Sequence, residues 1–257
     1  MTTEIAPVLF LSHGSPMRVI EQSAANFFLR ELGQHIARPK AIVIVSPHWE
    51  TQGVAFTQQN RLETIHDFWG FPQPLNEINY PAQSADWLQN SLSNCLTAQN
   101  ISHRGIARGL DHGAWSVLYL MYPKADIPTV GLSLPRNFSL SQLHQLGGAL
   151  TPLREQGIMI VTTGMATHNL SEFSLTGEPC EWAKLFSQWL KHKVATNDMA
   201  SLLQYRSQAP AATLSHPTDE HLRPLFIALG AGSGGKASLI HESWELKNGN
   251  NASWQWQ

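Results

Sequence analysis

The sequence predicts a single α/β domain with a central, mostly parallel or mixed β-sheet flanked by helices. Short unbroken apolar runs, typical of buried strands, alternate along the chain with longer segments of helical apolar spacing. The 257 residues contain no Pro/Ser-rich linker, no run of like charge and no internal repeat. We therefore interpret residues 1–257 as one catalytic domain. We expect its active site at the carboxyl ends of the strands, where the loops of an open α/β sheet converge.

Five apolar segments are predicted as strands. The run at 41–45 has no polar interruption, which is typical of a strand covered by helices on both faces. The predicted strands are residues 8–11, 41–45, 54–57, 128–134 and 158–162. The tail from Ser238 is predicted to add a closing strand or hairpin.

Six segments carry helical spacing: residues 25–36, 84–99, 115–121, 140–155, 181–193 and 222–229. Ser84 and Thr218 are predicted N-caps, and the acidic Asp219 and Glu220 favour the positive end of the last helix. Between strands and helices lies an irregular, aromatic-rich segment at 60–80. Its length is typical of a functional lid or binding loop, and its aromatic side chains are expected to enclose a flat ring.

Composition excludes several classes of protein. Charged residues make up 14% of the chain and the formal net charge is −2, so nothing favours binding to nucleic acid or to an anionic membrane. Cys95 and Cys180 show no disulfide or metal spacing, and no secretory signal is evident, which predicts a cytoplasmic protein. Dinucleotide-binding, P-loop and serine-hydrolase signatures are missing from the sequence.

Histidines are the most informative residues. The chain has 12 of them, and His13, His48 and His168 each follow a predicted strand. Imidazole is the commonest side-chain metal ligand and also the commonest general acid or base at neutral pH. One metal-centred site explains all three placements, whereas the alternative for each is a turn histidine that is hydrogen-bonded to nearby backbone.

Two further histidines have a suggestive context. His112 follows Asp111, which is placed to orient an imidazole or simply to begin a helix. His221 lies in a cluster with His216 and two acids, from which a metal site could take a histidine or a carboxylate. For the acids themselves, the start of a helix is the better interpretation.

Five motifs follow one another along the chain: Leu11-Ser12-His13-Gly14-Ser15-Pro16, Ser46-Pro47-His48-Trp49-Glu50, Leu110-Asp111-His112-Gly113-Ala114-Trp115, Ala166-Thr167-His168-Asn169-Leu170 and His216-Pro217-Thr218-Asp219-Glu220-His221. Together they resemble the class III extradiol ring-cleavage dioxygenases, and among these the 4,5-DOPA extradiol dioxygenase branch. Each motif is weak alone, but five in the same order are specific, and they cover most of the chain.

The resemblance implies one divalent metal ion held by His13, His48 and His221, with Glu220 as a rival third ligand. His168 matches an active-site histidine that acts as acid or base, or as a fourth ligand when no substrate is bound. His112 matches a second active-site histidine that contacts substrate or oxygen. The family implies non-haem Fe(II) for turnover, while an all-histidine pocket also accepts Zn(II).

The function that follows is extradiol opening of a catechol such as L-DOPA by O2, with 4,5-cleavage to a seco-DOPA product. We expect Trp49 and Asp111 to contact this substrate. The main alternative is a zinc-dependent hydrolase or amidase on the same scaffold, with metal-bound water as nucleophile. A binding module without turnover comes last, because Arg and Lys are scarce near the motifs. The oligomeric state stays open.

Overall fold

An eight-stranded mixed sheet organises the molecule. The computed structural model describes residues 5–257. Its strands are β1 (Val8–Ser12), β2 (Ala41–Thr51), β3 (Val54–Thr57), β4 (His103–Ile106), β5 (Thr129–Pro135), β6 (Ile158–Gly164), β7 (Ala237–His241), β8 (Trp244–Glu245), β9 (Gly249–Asn250) and β10 (Ser253–Trp256). The sheet order is β4-β3-β5-β2-β6-β1-β10-β7, and β8 and β9 form a separate two-stranded ribbon.

The centre of the sheet is parallel. Strands β5, β2, β6 and β1 pair in parallel, so their carboxyl ends lie at one edge. The register pairs Phe10 with Thr162 and Val43 with Ile160. Antiparallel pairs occur where β3 meets β5 and where β10 meets β1 and β7. The prediction of an α/β domain with a mixed sheet flanked by helices is therefore confirmed.

The helices are α1 (Ala24–His35), α2 (Gln73–Asn76), α3 (Asp86–Ala98), α4 (His112–Met121), α5 (Leu140–Glu155), α6 (Glu181–Ala195), α7 (Met199–Leu202), α8 (Tyr205–Gln208), α9 (Ala212–Ser215) and α10 (Pro224–Ala231). Two 3-10 turns lie at Pro16–Val19 and Leu170–Glu172. Helix α5 has the bounds that its apolar spacing predicted. It begins with a capping box in which Ser139 and Gln142 satisfy each other's backbone N–H groups.

Alternate side chains of the central strands enter two separate cores. Val8 and Phe10 of β1 pack on one face with α3, α5, α6 and α10, whereas Leu9 and Leu11 pack on the other with α1 and α4. All four side chains are fully buried. Because both faces are covered by helices, the sequences of these strands are continuous apolar runs rather than alternations of apolar and polar residues.

Two predicted N-caps are wrong. Helix α3 begins at Asp86 with Ala85 as its N-cap, and Ser84 instead accepts a hydrogen bond from the Gln89 side chain over 3.2 Å. Helix α10 begins at Pro224, because the backbone N–H groups of Leu222 and Arg223 bond to the Asp219 carbonyl and form a turn there. Thr218 precedes that turn. Proline at the first helical position then sets the start of α10.

Strand β4 was not predicted. Its sequence, His103–Ile106, has no apolar run, and the strand lies at the edge of the sheet with half-exposed side chains. Such edge strands carry little of the hydrophobic signal by which strands are predicted.

In the part of the chain from residue 5 onward, no helix is both long enough and apolar enough to cross a membrane. Cys95 and Cys180 are free thiols.

Candidate metal centre and active site

Five histidines converge at the carboxyl edge of the parallel strands. They line a single cavity of about 490 Å³ and are His13, His48, His112, His168 and His221. Each comes from a different segment of the chain. The structure thus brings together the five histidines that the family resemblance assigned to the site.

His13 leaves the end of β1 on a tight turn. Its backbone N–H donates to the Gly164 carbonyl at the end of β6 over 3.1 Å, which ties two strand ends together. Gly14 follows with a φ of +60°, and a Cβ there would collide with the side chains of Arg18 and Glu245. The Glu245 carboxylate accepts a hydrogen bond from the Ser15 N–H over 3.0 Å. The side chains of Arg18 and Glu245 therefore pack against the turn and stabilise it.

His48 lies in an irregular part of β2. The pairing of β2 with β5 shifts register between Val45 and Glu50, so the intervening residues bulge from the ladder. The bulge directs His48 toward His13, and the two Nε2 atoms lie 3.2 Å apart. The Ser46 hydroxyl supports the bulge by accepting the His48 N–H over 3.2 Å.

His221 and His168 form the opposite side of the cluster. Their rings stack with centroids 3.5 Å apart and an interplanar angle of 13°. The His221 centroid lies 5.3 Å from that of His13 and 5.0 Å from that of His48. The His168 N–H donates to the Ser215 carbonyl over 2.9 Å, which fixes the loop after β6.

Two carboxylates hold the outer nitrogens of the cluster. Glu220 Oε1 lies 2.8 Å from His221 Nδ1, and Asp67 Oδ1 lies 2.9 Å from His112 Nδ1. Asp67 Oδ2 also faces His48 Nδ1 at 3.8 Å. Carboxylates that contact the Nδ1 of a histidine in this way orient its Nε2 toward a metal and raise its basicity.

Four imidazoles of the cluster, those of His13, His48, His168 and His221, are uncharged at neutral pH. Desolvation and the neighbouring histidines lower the pKa of His48 to about 2 and that of His168 to about 3. Burial likewise lowers the pKa of His13 and that of His221, where Glu220 opposes the shift. Burial raises the pKa of Asp67, but hydrogen bonds from His112 outweigh it and lower the pKa to about 2.

This donor set fits a divalent transition metal. One ligand atom each of His13, His48 and His112 lies within 4.8 Å of the others, and the same holds for His168, Glu220 and His221. Imidazole nitrogens must be neutral to bind a metal, and the Nδ1 of His13 is buried without a hydrogen-bond partner in the described part of the chain. Neutral nitrogen donors at this spacing suit iron or zinc.

Aromatic and aliphatic side chains form the outer wall of the cavity. They are Phe68, Trp69, Phe71, Met165, Leu170, Phe173 and Leu246. The segment 60–80 therefore supplies part of the wall, as its aromatic content predicted. Tyr80 does not line the cavity, because its ring is buried in the core and its hydroxyl donates to the Tyr122 carbonyl.

Trp49 and Asp111 were expected to contact substrate, and the structure corrects this. Neither residue lines the cavity. The guanidinium of Arg108 stacks on Trp49 at 5.2 Å from the ring centroid. Asp111 is 2% exposed and accepts a hydrogen bond from the Ser46 hydroxyl over 2.5 Å. Asp111 thus supports the β2 bulge through Ser46, whereas Trp49 is itself part of the bulge.

The interpretation of Glu220 as an acid at a helix start is also corrected, because its carboxylate lines the cavity and contacts His221.

Asp67 is the residue that sequence reasoning missed. Its backbone lies in the irregular segment. Its carboxylate accepts a hydrogen bond from the backbone N–H of His112, the first residue of α4, and also contacts the ring Nδ1 of His112. The only signal in the sequence is an acid next to a histidine, at His66-Asp67.

Comparisons with known proteins agree with this geometry. The model of the family described as the catalytic LigB subunit of aromatic ring-opening dioxygenase matches residues 7–253. A 4,5-DOPA dioxygenase extradiol of Escherichia coli K12 is 39% identical, with 91% of this chain and 88% of the relative covered. One from Beta vulgaris is 37% identical, with 94% and 92% covered. A crystal structure of an uncharacterized protein from Escherichia coli K12 superposes with a TM-score of 0.82 at 34% identity, covering 97% of this chain and 99% of the other.

Proposed function

This chain belongs to the aromatic ring-opening dioxygenase family of the catalytic LigB subunit, and from that premise we propose that it cleaves L-DOPA or a closely related catechol between carbons 4 and 5. The resemblance to class III extradiol dioxygenases is thereby confirmed, and the chain is a dioxygenase. The observation that carries the proposal for this substrate is the cluster of five histidines in an aromatic-walled cavity.

His13, His48 and His221 would hold a single Fe(II). His13 and His48 already place their Nε2 atoms 3.2 Å apart, and Glu220 contacts the Nδ1 of His221. That contact favours His221 over Glu220 as the third ligand, because a carboxylate on Nδ1 leaves Nε2 free to bind the metal. When bound, the metal supplies charge that favours the ionised catechol and open positions for the substrate oxygens and O2.

His168 is the residue we assign to proton transfer. Its imidazole is neutral, lines the cavity and stacks on His221, so it is placed to accept a phenolic proton and to return a proton later. A positioned general base contributes about 10²–10⁴-fold to a rate. We assign His112, held by Asp67 over 2.9 Å, to contact with the substrate or oxygen.

The aromatic wall would hold the ring of the substrate and exclude water. Phe68 packs edge-on against His112 with centroids 5.7 Å apart, and Phe173 packs edge-on against His168 with centroids 5.9 Å apart. Aromatic pairs in this geometry keep side chains in place around a flat ligand. Exclusion of water protects a reactive oxygen intermediate from unproductive reactions.

The zinc-dependent hydrolase is not favoured, because family and relatives are dioxygenases. We further propose that residues 1–257 work as one catalytic domain, that the protein acts in the cytoplasm, and that it binds a small catechol and O2 but neither nucleic acid nor membrane. The sheet formed from residues 8 to 256 supports the first of these proposals.

Oxygen uptake is the experiment that tests the function. Protein reconstituted anaerobically with Fe(II) is given L-DOPA, and oxygen consumption is recorded together with the yellow absorbance of a ring-opened product. NMR of the product distinguishes 4,5- from 2,3-cleavage. Absence of uptake across a panel of catechols, with the metal bound, would overturn the proposal.

A further inference from the structure

Two acidic side chains line the cavity. Asp67 and Glu220 contribute carboxylates that are about a quarter exposed, at 24% and 25%, and among residues 5–257 no lysine or arginine lines the same space. A bound metal would be matched in charge by the catechol oxygens themselves. The remainder of the cavity therefore offers no cation to a substituent on the ring.

Three arginines that lie within a few residues of His13, His112 and His221 in the sequence are engaged elsewhere. Arg18 is buried behind Gly14 and forms an ion pair with Glu245 at 2.7 Å. Arg108 stacks on Trp49 outside the cavity. Arg223 donates to the carbonyls of Pro135 and Phe138 over 2.7 and 2.9 Å. None of these guanidinium groups is free to turn toward a substrate.

The outer wall of the cavity is apolar up to the solvent. Trp69 is 89% exposed and Leu170 is 71% exposed, and both line the cavity. A charged substituent that passes this wall loses hydration, and this loss is compensated only if an opposite charge is present. An anionic substituent instead meets the carboxylates of Asp67 and Glu220, which carry the same sign of charge.

We propose that this site selects catechols whose ring substituent is neutral or cationic and rejects those whose only charged substituent is a carboxylate. The inference deepens the proposed function and rests on it. A zwitterionic substituent such as that of L-DOPA is accepted when its ammonium faces Asp67 or Glu220 and its carboxylate stays in solvent at the mouth. Specificity of this kind arises from repulsion of the wrong ligand as well as from attraction of the right one.

Three catechols of similar size test the selectivity: 4-methylcatechol, dopamine and 3,4-dihydroxyphenylacetate. Their dissociation constants are measured by anaerobic titration of the Fe(II)-loaded protein, and kcat/KM by oxygen uptake. We expect the acetate to bind at least about fivefold more weakly than 4-methylcatechol, and dopamine at least as tightly, since partly exposed charge pairs have effects of this size. Equal binding of all three would overturn the inference. The expected order of binding without turnover of any catechol would support the inference and overturn the proposed function.

A charge introduced at the wall provides the second test. Leu170→Lys places an ammonium at the cavity, and we expect it to improve binding of the acetate relative to 4-methylcatechol by about threefold, an effect that high salt removes. Leu175→Lys is the matched control, because Leu175 is 92% exposed and does not line the cavity. An unchanged ratio in Leu170→Lys, or the same gain in Leu175→Lys, would contradict selection by charge inside the cavity.

Discussion

Glu220 Oε1 lies 2.8 Å from His221 Nδ1 and 4.0 Å from His168 Nδ1, so the carboxylate engages His221 through Nδ1 and leaves its Nε2 free. This contact predicts that Glu220 tunes the metal without binding it. Glu220→Gln keeps an acceptor but removes the charge, and we expect metal affinity to fall by about tenfold, and toward 100-fold in Glu220→Ala. Competition with a chelator measures this affinity. Glu178→Gln, at an exposed position, is the control, and complete loss of metal in Glu220→Gln would make Glu220 a direct ligand.

The third metal ligand can be identified by comparing two histidine variants. The ligand atoms of His13, His48 and His112 lie within 4.8 Å of one another, so His112 competes with His221 on distance alone. We expect His221→Ala to lose bound iron, and His112→Ala to keep it while turnover falls, because we assign His112 to contact with the substrate or oxygen rather than with the metal. Metal content after dialysis decides the matter, and the reverse pattern would assign the third ligand to His112.

His168→Ala separates proton transfer from metal binding. We expect the variant to retain most of its iron while kcat falls by about 10²–10⁴-fold, the usual contribution of a positioned base. Iron content and kcat are measured on the same sample. His35→Ala, an exposed histidine on α1, should match the unchanged protein in both measurements. Loss of iron from His168→Ala would make His168 a fourth ligand.

Two adjacent glycines of α5 have opposite roles in stability. A Cβ on Gly147 would collide with the Ile227 carbonyl of α10, whereas a Cβ on Gly148 finds its nearest atom 4.0 Å away. Gly147→Ala should lower the free energy of unfolding by about 1–3 kcal/mol through overpacking. Gly148→Ala should raise it by about 0.5–1 kcal/mol, because glycine is unfavourable inside a helix.

Urea unfolding followed by circular dichroism measures both glycine variants. The two substitutions add the same methyl group to neighbouring positions, so their difference isolates the contact between α5 and α10. A stable Gly147→Ala protein would mean that the two helices can move apart without cost.

Much of the fold was predictable from local sequence. The apolar runs at 41–45 and 158–162 and the periodic spacing of α5 each carry their signal within a few residues. The motifs around His13, His48 and His168 were equally local, because each follows directly on a strand. Parallel strands bring such ends to one edge, so convergence of these histidines could be expected before any coordinates were available.

Other features depended on contacts between distant segments. The N–H of His112 is capped by Asp67, 45 residues earlier in the chain, so the true start of α4 was not visible in its own sequence. The sequence gives the residue types of Trp49 and Asp111, but it does not show whether their side chains face a substrate or pack within the protein. The sequence around Glu220 is typical of the start of a helix, but a turn at Asp219 places the Glu220 carboxylate in the site. Short-range patterns encode backbone conformation, whereas the direction of a side chain and the charge of a cavity arise only when separate strands and loops pack together.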